Sequence, residues 1–138
     1  MLNKLILSLA VVASLTACST IDSSQKYQKP QHLLFINKEV NSLPLQVSRD
    51  DKLCNDDKKD DQNCPIKFYI DDFKAGDFYI NNKITYYLKP NEYSLTVKNC
   101  NTKCDIYHTK ININDTFQNV TLVLSIDENG KPFIINKN

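Results

Sequence analysis

The sequence predicts a small all-β sandwich. Short runs rich in β-branched and aromatic residues follow one another from residue 32 onward, and clusters of Asn, Asp, Pro and Ser separate them. Along several of these runs apolar residues alternate with polar ones, as they do along a half-buried strand. No long stretch shows the spacing of three to four residues that is typical of an amphipathic helix.

Eight or nine short segments are strand candidates, and their alternation indicates which side chains face the core. Segment 66–71 is the clearest, because Ile66, Phe68 and Ile70 fall on one face. Segment 43–47 also alternates, but its proline at position 44 favours the edge of a sheet. The sequence DENGK between the last two candidates predicts a hairpin. The candidate segments are 33–36, 43–47, 66–71, 77–81, 83–89, 93–98, 105–113, 117–126 and 132–135.

The first 17 residues, MLNKLILSLAVVASLTA, have the composition of a signal peptide. Lys4 gives a positive start, and residues 5–15 form an apolar run of 11 residues, too short to span a bilayer. The run ends in LTAC, residues 15–18, which resembles the lipobox of bacterial lipoproteins. The resemblance implies that Cys18 carries a diacylglycerol and that Ser19, in place of Asp, directs the protein to the outer membrane. The alternative is an ordinary secreted protein with an incidental cysteine.

The sequence divides into three parts: a signal peptide over 1–17, a polar flexible tether over 18–31 and one β-sandwich domain over 32–138. Removal of Lys4 with the signal peptide lowers the count of Lys and Arg from 17 to 16, against 16 Asp and Glu. Binding to nucleic acid requires clustered positive charge, so this balance argues against such a function.

Besides Cys18 the chain has four cysteines, at positions 54, 64, 100 and 104. An even number in an exported chain indicates two disulfides, for which three pairings are possible. We expect the local pairing, Cys54 with Cys64 and Cys100 with Cys104, because each pair brackets a polar, turn-like stretch.

The segment IKFYIDDFKAGDFYINNKITYYLKPNEYSLTVKN, which starts at residue 66, resembles the PEGA-type repeats and related small lipoprotein sandwiches. Asp71-Asp72 stands near their first turn, Gly76 precedes their short strand, and Lys-Pro-Asn at 89–91 replaces the usual Pro-Gly. The signature tetrapeptide itself is absent. The resemblance implies a transthyretin-like, or prealbumin-like, sandwich that serves as a non-catalytic accessory module of the cell envelope.

An acidic segment, residues 49–64, is the first candidate for a functional site. Clustered carboxylates can bind calcium, but the central Gly and final Glu of an EF-hand loop are missing. Lys52, Lys58 and Lys59 neutralise half of the charge. We therefore interpret the segment as a solvated, disulfide-tied loop that could bind a partner. Its six aspartates are Asp50, Asp51, Asp56, Asp57, Asp60 and Asp61.

Cys100, Cys104 and His108 are the second candidate, because two thiols and an imidazole can bind copper or zinc. On a strand, however, a four-residue step covers about 13 Å, so the three would not converge without a turn. The only other histidine is His32, and neither histidine belongs to a recognisable catalytic motif. We expect no enzymatic activity, no metal site and no cofactor.

Three tyrosines are the third candidate. If Ile66, Phe68 and Ile70 face the core, Tyr69 faces away, and the same alternation would place Tyr79 and Tyr87 outward. Exposed tyrosines can anchor a protein partner. Alternatively, tyrosine simply suits a pleated surface, or the second sheet covers these side chains.

The sequence thus predicts a non-enzymatic outer-membrane lipoprotein, facing the periplasm or the outside, that binds or assists another envelope protein. The first alternative is an inhibitor or immunity protein whose acidic loop plugs the cleft of a hydrolase or toxin. The lesser alternative is a periplasmic metal carrier that uses Cys100, Cys104 and His108.

Overall fold

A computed structural model of the chain describes residues 29–101, 103–116 and 119–138. These residues form eight strands and no helix, which confirms the predicted all-β class. The signal peptide, Cys18 and most of the tether lie outside the described residues. The strands, in chain order, are β1 (Leu43–Arg49), β2 (Ile66–Ile70), β3 (Phe73–Phe78), β4 (Lys83–Leu88), β5 (Asn91–Cys100), β6 (Cys104–Ile113), β7 (Val120–Ile126) and β8 (Pro132–Asn136).

Two four-stranded sheets face each other across the core. One has the order β4-β1-β7-β8 and the other the order β3-β2-β5-β6. Neighbouring strands are antiparallel except β1 and β7, which run parallel from the pair Leu45 and Val120 to the pair Arg49 and Leu124. Parallel strands cannot be joined by a hairpin, and here the chain crosses to the second sheet and back twice between them. The predicted hairpin of β7 and β8 is confirmed.

Two predicted strands differ from the structure. Segment 77–81 overlaps only the end of β3, which begins at Phe73. The strand begins earlier because Asp71 and Asp72, with φ of 47° and 65°, form a two-residue turn directly after β2. The short residues Ala75 and Gly76 in β3 have low strand propensity, so composition alone did not indicate this strand.

Segment 33–36 was predicted as a strand and is not one. His32 and Phe35 have φ of 57° and 59°, which interrupts an extended backbone despite the apolar composition. The segment instead crosses from the edge of β3 to the edge of β4 and covers the backbone there. The backbone hydrogen bonds that residues 31–35 form with the two edges are Gln31 N to Asp77 O (3.2 Å), Asp77 N to Gln31 O (2.8 Å), Leu34 N to Ala75 O (3.3 Å) and Tyr87 N to Phe35 O (2.8 Å).

The expectation that Pro44 marks an edge strand is also wrong. Strand β1 lies inside its sheet, between β4 and β7. Pro44 is accommodated because the pairing of β1 with β7 begins one residue later, at Leu45. A proline that precedes the first ladder pair removes no hydrogen bond from that ladder.

The core lies between the two sheets, and the predicted alternation of β2 is confirmed. Ile66, Phe68 and Ile70 are each 0% exposed. The ring of Phe68 packs edge-on against Phe78, with 6.0 Å between ring centres. It also packs against the tilted ring of Tyr86, with 5.7 Å between ring centres.

Tyr86 places a polar atom in this core and satisfies it. Its hydroxyl donates a hydrogen bond of 2.9 Å to the carbonyl of Ala75. Burial raises the pKa of the Tyr86 phenol, so the side chain stays neutral at any physiological pH. Ala75 is the extra residue of a β-bulge in β3, since Phe68 pairs with Gly76 and Tyr69 pairs with Lys74.

Gly76 is required by the close approach of this tyrosine. A Cβ at position 76 would lie 2.8 Å from the Tyr86 hydroxyl and 3.0 Å from Phe78 Cε2. We expect Gly76→Ala to lower the free energy of unfolding by about 1–3 kcal/mol, because Tyr86 must move and lose its hydrogen bond. Urea unfolding followed by circular dichroism measures this change.

Gly130→Ala is the matched control, since nothing lies within 4 Å of its added Cβ and only its φ of 77° is strained. It should cost about 1 kcal/mol. An unfolding midpoint for Gly76→Ala equal to that of the native protein would contradict the crowding described here.

Candidate functional site

Both disulfides lie at one end of the sandwich. The structure confirms the predicted pairing of Cys54 with Cys64 and of Cys100 with Cys104. The first disulfide closes the acidic loop between β1 and β2, and the second joins the last pair of residues in the β5–β6 hairpin. We use the name stapled pole for residues 50–65, 100–101, 103–104 and 127–131, which form this end.

Arg49 ties the acidic loop to the sandwich. It follows Leu45 and Val47 on the inward face of β1, and it is only 1% exposed. Its guanidinium donates three hydrogen bonds to backbone carbonyls that belong to separate segments. The acceptors are Cys64 O (3.1 Å), Phe78 O (2.9 Å) and Lys52 O (3.1 Å).

The charge of Arg49 is retained in spite of its burial. Burial lowers the pKa of the guanidinium to about 10, and the nearby carboxylates of Asp50 and Asp57 oppose that shift. The group is therefore protonated at neutral pH, and all three accepting carbonyls meet a charged donor. Its Nε is buried and has no hydrogen-bond partner among the residues that the structure describes.

Asn99 joins the buried disulfide to the β7–β8 turn. It is 3% exposed and faces inward from the end of β5. Its Nδ2 donates to the carbonyl of Gly130 at 2.8 Å and lies 3.5 Å from Cys54 Sγ. Its Oδ1 lies 2.6 Å from Cys64 Sγ. Because a disulfide sulfur has no proton to donate, this last contact is not a hydrogen bond.

Two of the six loop aspartates accept hydrogen bonds from backbone amides of the loop. The Asp57 carboxylate accepts hydrogen bonds from Asn63 N and Cys64 N, both 3.0 Å, and so closes the loop upon itself. Asp50 accepts hydrogen bonds from Lys52 N and from the Ser125 hydroxyl. The other four are exposed on the surface of the stapled pole: Asp51, Asp56, Asp60 and Asp61.

The ligand atoms of Cys54, Asp57 and Cys64 lie within 4.8 Å of one another, a spacing suited to a metal ion. Both sulfurs are joined in the disulfide, and the carboxylate already accepts two backbone hydrogen bonds. Cysteine binds a metal ion as the thiolate, which this oxidised pair does not offer.

The second cysteine pair and its histidine are likewise not arranged as metal ligands. Cys100 and Cys104 form a disulfide, and His108 lies four residues along β6 with its Nδ1 at 2.7 Å from the Thr96 hydroxyl. The metal-carrier alternative needs free thiols beside the imidazole, so this arrangement gives it no support.

The three tyrosines are not brought together. Tyr69 lies on the outer face of the β3-β2-β5-β6 sheet, where Lys98 Nζ stands 5.2 Å from its ring centre. Tyr87 alternates with the buried Tyr86 and therefore lies on the outer face of the opposite sheet. Tyr79 follows the end of β3, and all three are half-buried. They do not form one continuous surface.

A cleft of about 210 Å³ opens in the stapled pole where its three segments meet. Sequence analysis missed this cleft, along with Arg49 and Asn99. The sequence signal that could have found both residues is a polar residue at a position where the alternation points inward. Arg49 continues the inward face of β1, and Asn99 continues that of β5. The cleft is lined by Leu53, Cys54, Asn55, Asn99, Asn101, Lys103, Asp105, Ile126, Asp127, Asn129 and Gly130.

Comparison with known proteins adds no family or relative. No protein-family model matches the chain, and no curated protein and no solved structure matches it. Within the described ranges the structure contains no helix with the length and hydropathy needed to cross a membrane.

The two disulfides differ in burial, and we expect them to differ in reactivity. Cys54 and Cys64 are 6% and 3% exposed, whereas Cys104 is exposed and Cys100 half-buried. Mild dithiothreitol followed by iodoacetamide should label Cys100 and Cys104 first, because a thiolate must reach the disulfide that it attacks. Labelling of Cys54 and Cys64 should require urea, which opens the fold.

Peptide mass spectrometry measures this order of labelling. A Cys100→Ser, Cys104→Ser double variant is the control and should take no label at positions 54 and 64 under the mild conditions. Equal labelling of all four cysteines in the folded protein would show that the pole is not closed over the first disulfide.

Proposed function

We propose that this protein is a non-enzymatic lipoprotein of the outer membrane that acts as an envelope-anchored binding or accessory module through its stapled pole. The arrangement of the pole carries the proposal. The two disulfides close the acidic loop and the β5–β6 turn, Arg49 ties that loop to β3, and Asn99 joins the loop to the β7–β8 turn. A surface that is ordered beforehand loses less conformational entropy when it binds.

The lipobox-like sequence at 15–18 supports the anchor. Each buried methylene of an acyl chain contributes about 0.8 kcal/mol, so two or more chains on Cys18 would hold a small domain on a bilayer. In the lipoproteins that this motif resembles, Asp directly after the cysteine favours the inner membrane, so Ser19 favours the outer membrane. The tether up to residue 31 would let the domain reach away from the membrane surface.

The resemblance to PEGA-type and transthyretin-like sandwiches supports the accessory role. The Asp71-Asp72 turn lies where those repeats have their first turn. Modules of that group are mostly non-catalytic, and a second envelope protein is the partner that we propose here.

An inhibitor or immunity role is the second candidate, and the acidic loop favours it. Asp51, Asp56, Asp60 and Asp61 project from a loop that the Cys54–Cys64 disulfide and Asp57 hold in place. A fixed negative loop is complementary to a positively charged enzyme cleft.

Cys18→Ser tests the anchor. We expect this variant to accumulate as an uncleaved precursor without incorporated palmitate, because serine has no sulfur to form the thioether. Metabolic labelling with palmitate and flotation of membrane vesicles measure the two effects. Cys100→Ser, Cys104→Ser, which keeps Cys18, should be labelled and float like the native protein. A Cys18→Ser product that is cleaved and floats normally would overturn the proposal.

Crosslinking in cells tests the binding surface. A photoreactive residue in place of Asp56 lies in the stapled pole. The same photoreactive residue in place of Asn112 lies eight positions beyond Cys104, roughly 27 Å along β6. A specific protein adduct from position 56 but not from position 112 is expected. A hydrolase or toxin in that adduct would favour the inhibitor role, and identical adducts from both positions would contradict a pole-specific partner.

A further inference from the structure

The cleft of the stapled pole is built from one buried and several exposed polar groups. Asn99 is 3% exposed, and the backbone of Gly130 accepts its hydrogen bond at 2.8 Å. Cys54 and Ile126, which also line the cleft, are 6% and 3% exposed. The inner part of the cleft is therefore fixed by the disulfide and the ends of β5 and β7.

Three further asparagines line the cleft, and the fold does not use their side-chain amide groups. Within the described part of the chain, the side chains of Asn55, Asn101 and Asn129 form no hydrogen bond, and all three residues are exposed. Each amide offers two donor hydrogens and one acceptor oxygen. A complementary ligand must present donors and acceptors close together, as neighbouring hydroxyl groups do.

The charges that line the cleft are mixed in sign. The lining includes Lys103 as well as Asp105 and Asp127, and the Asp127 Oδ1 already accepts hydrogen bonds from Asn129 N and Lys131 N, both 2.8 Å. A ligand with a strong charge of either sign would face repulsion as well as attraction. The lining therefore favours a neutral ligand.

The size of the cleft limits that ligand to one ring. Its volume of about 210 Å³ is below the roughly 300–1,000 Å³ of pockets for drug-sized molecules. Leu53 and Ile126 supply apolar contact for carbon-bound hydrogens beside the polar groups. We propose that the cleft binds a single neutral sugar residue through the asparagine amides. This inference goes beyond the proposed function, because it depends neither on the lipid anchor nor on a protein partner.

Saturation-transfer NMR on the full chain, purified in a detergent without a sugar headgroup, tests the proposal. The probes are methyl N-acetylglucosaminide and methyl glucoside as neutral sugars, with citrate and putrescine as charged comparators. We expect transfer to at least one sugar and not to either comparator. Transfer to a comparator alone, or to no probe, would overturn the proposal.

Variants locate the binding. Asn101→Ala, Asn129→Ala should weaken sugar binding about tenfold, because two amides are lost from the cleft. Asn112→Ala is the matched control, since it removes an exposed asparagine from the far end of β6. Circular dichroism and intact disulfides show that each variant is folded. Sugar binding that the double variant leaves unchanged, or that Asn112→Ala weakens equally, would place the sugar outside the cleft.

Discussion

The arrangement of the stapled pole depends on the buried guanidinium of Arg49. Removing a charge from water costs several kcal/mol, and Arg49 offsets that cost with three hydrogen bonds to carbonyl oxygens. The acceptors lie at Lys52, Cys64 and Phe78, so one side chain connects the beginning and the end of the acidic loop to β3. Without it, these carbonyls would lose a charged partner, and the two ends of the loop would be held mainly by the disulfide.

Asn99 extends this framework to the other segments of the pole. Its amide contacts the Cys54–Cys64 disulfide on one side and the Gly130 carbonyl on the other, while Cys100 beside it begins the second disulfide. Arg49 and Asn99 have equivalent positions. Each is a polar residue that faces the core, at or next to the last residue of its strand. At this end of the sandwich, polar side chains that face the core hold the loops in position. Both the proposed partner surface and the proposed sugar cleft depend on those loops.

Much of the fold could be predicted from local pattern. Period-two alternation identified the buried face of β2, and short polar spacers identified both disulfides. Alternation failed at 33–36, because composition does not reveal the positive φ of His32 and Phe35. It also could not show that Tyr69 and Tyr87 belong to opposite sheets, since sheet membership is set by long-range pairing. The cleft was missed for the same reason: its three segments are far apart in sequence, and the contacts of Asn99 with Cys54 and Gly130 join two of them only in the folded chain.

Native-state hydrogen exchange tests the central role of Arg49 most directly. The amides of Asn63 and Cys64, which donate to Asp57, report on the loop, and the amide of Phe68 reports on the core. In Arg49→Met the loop amides should exchange at least about tenfold faster relative to Phe68 than in the native protein, with Arg49→Lys in between. Loop amides that keep their native protection relative to Phe68 in both variants would show that the pole does not depend on the guanidinium.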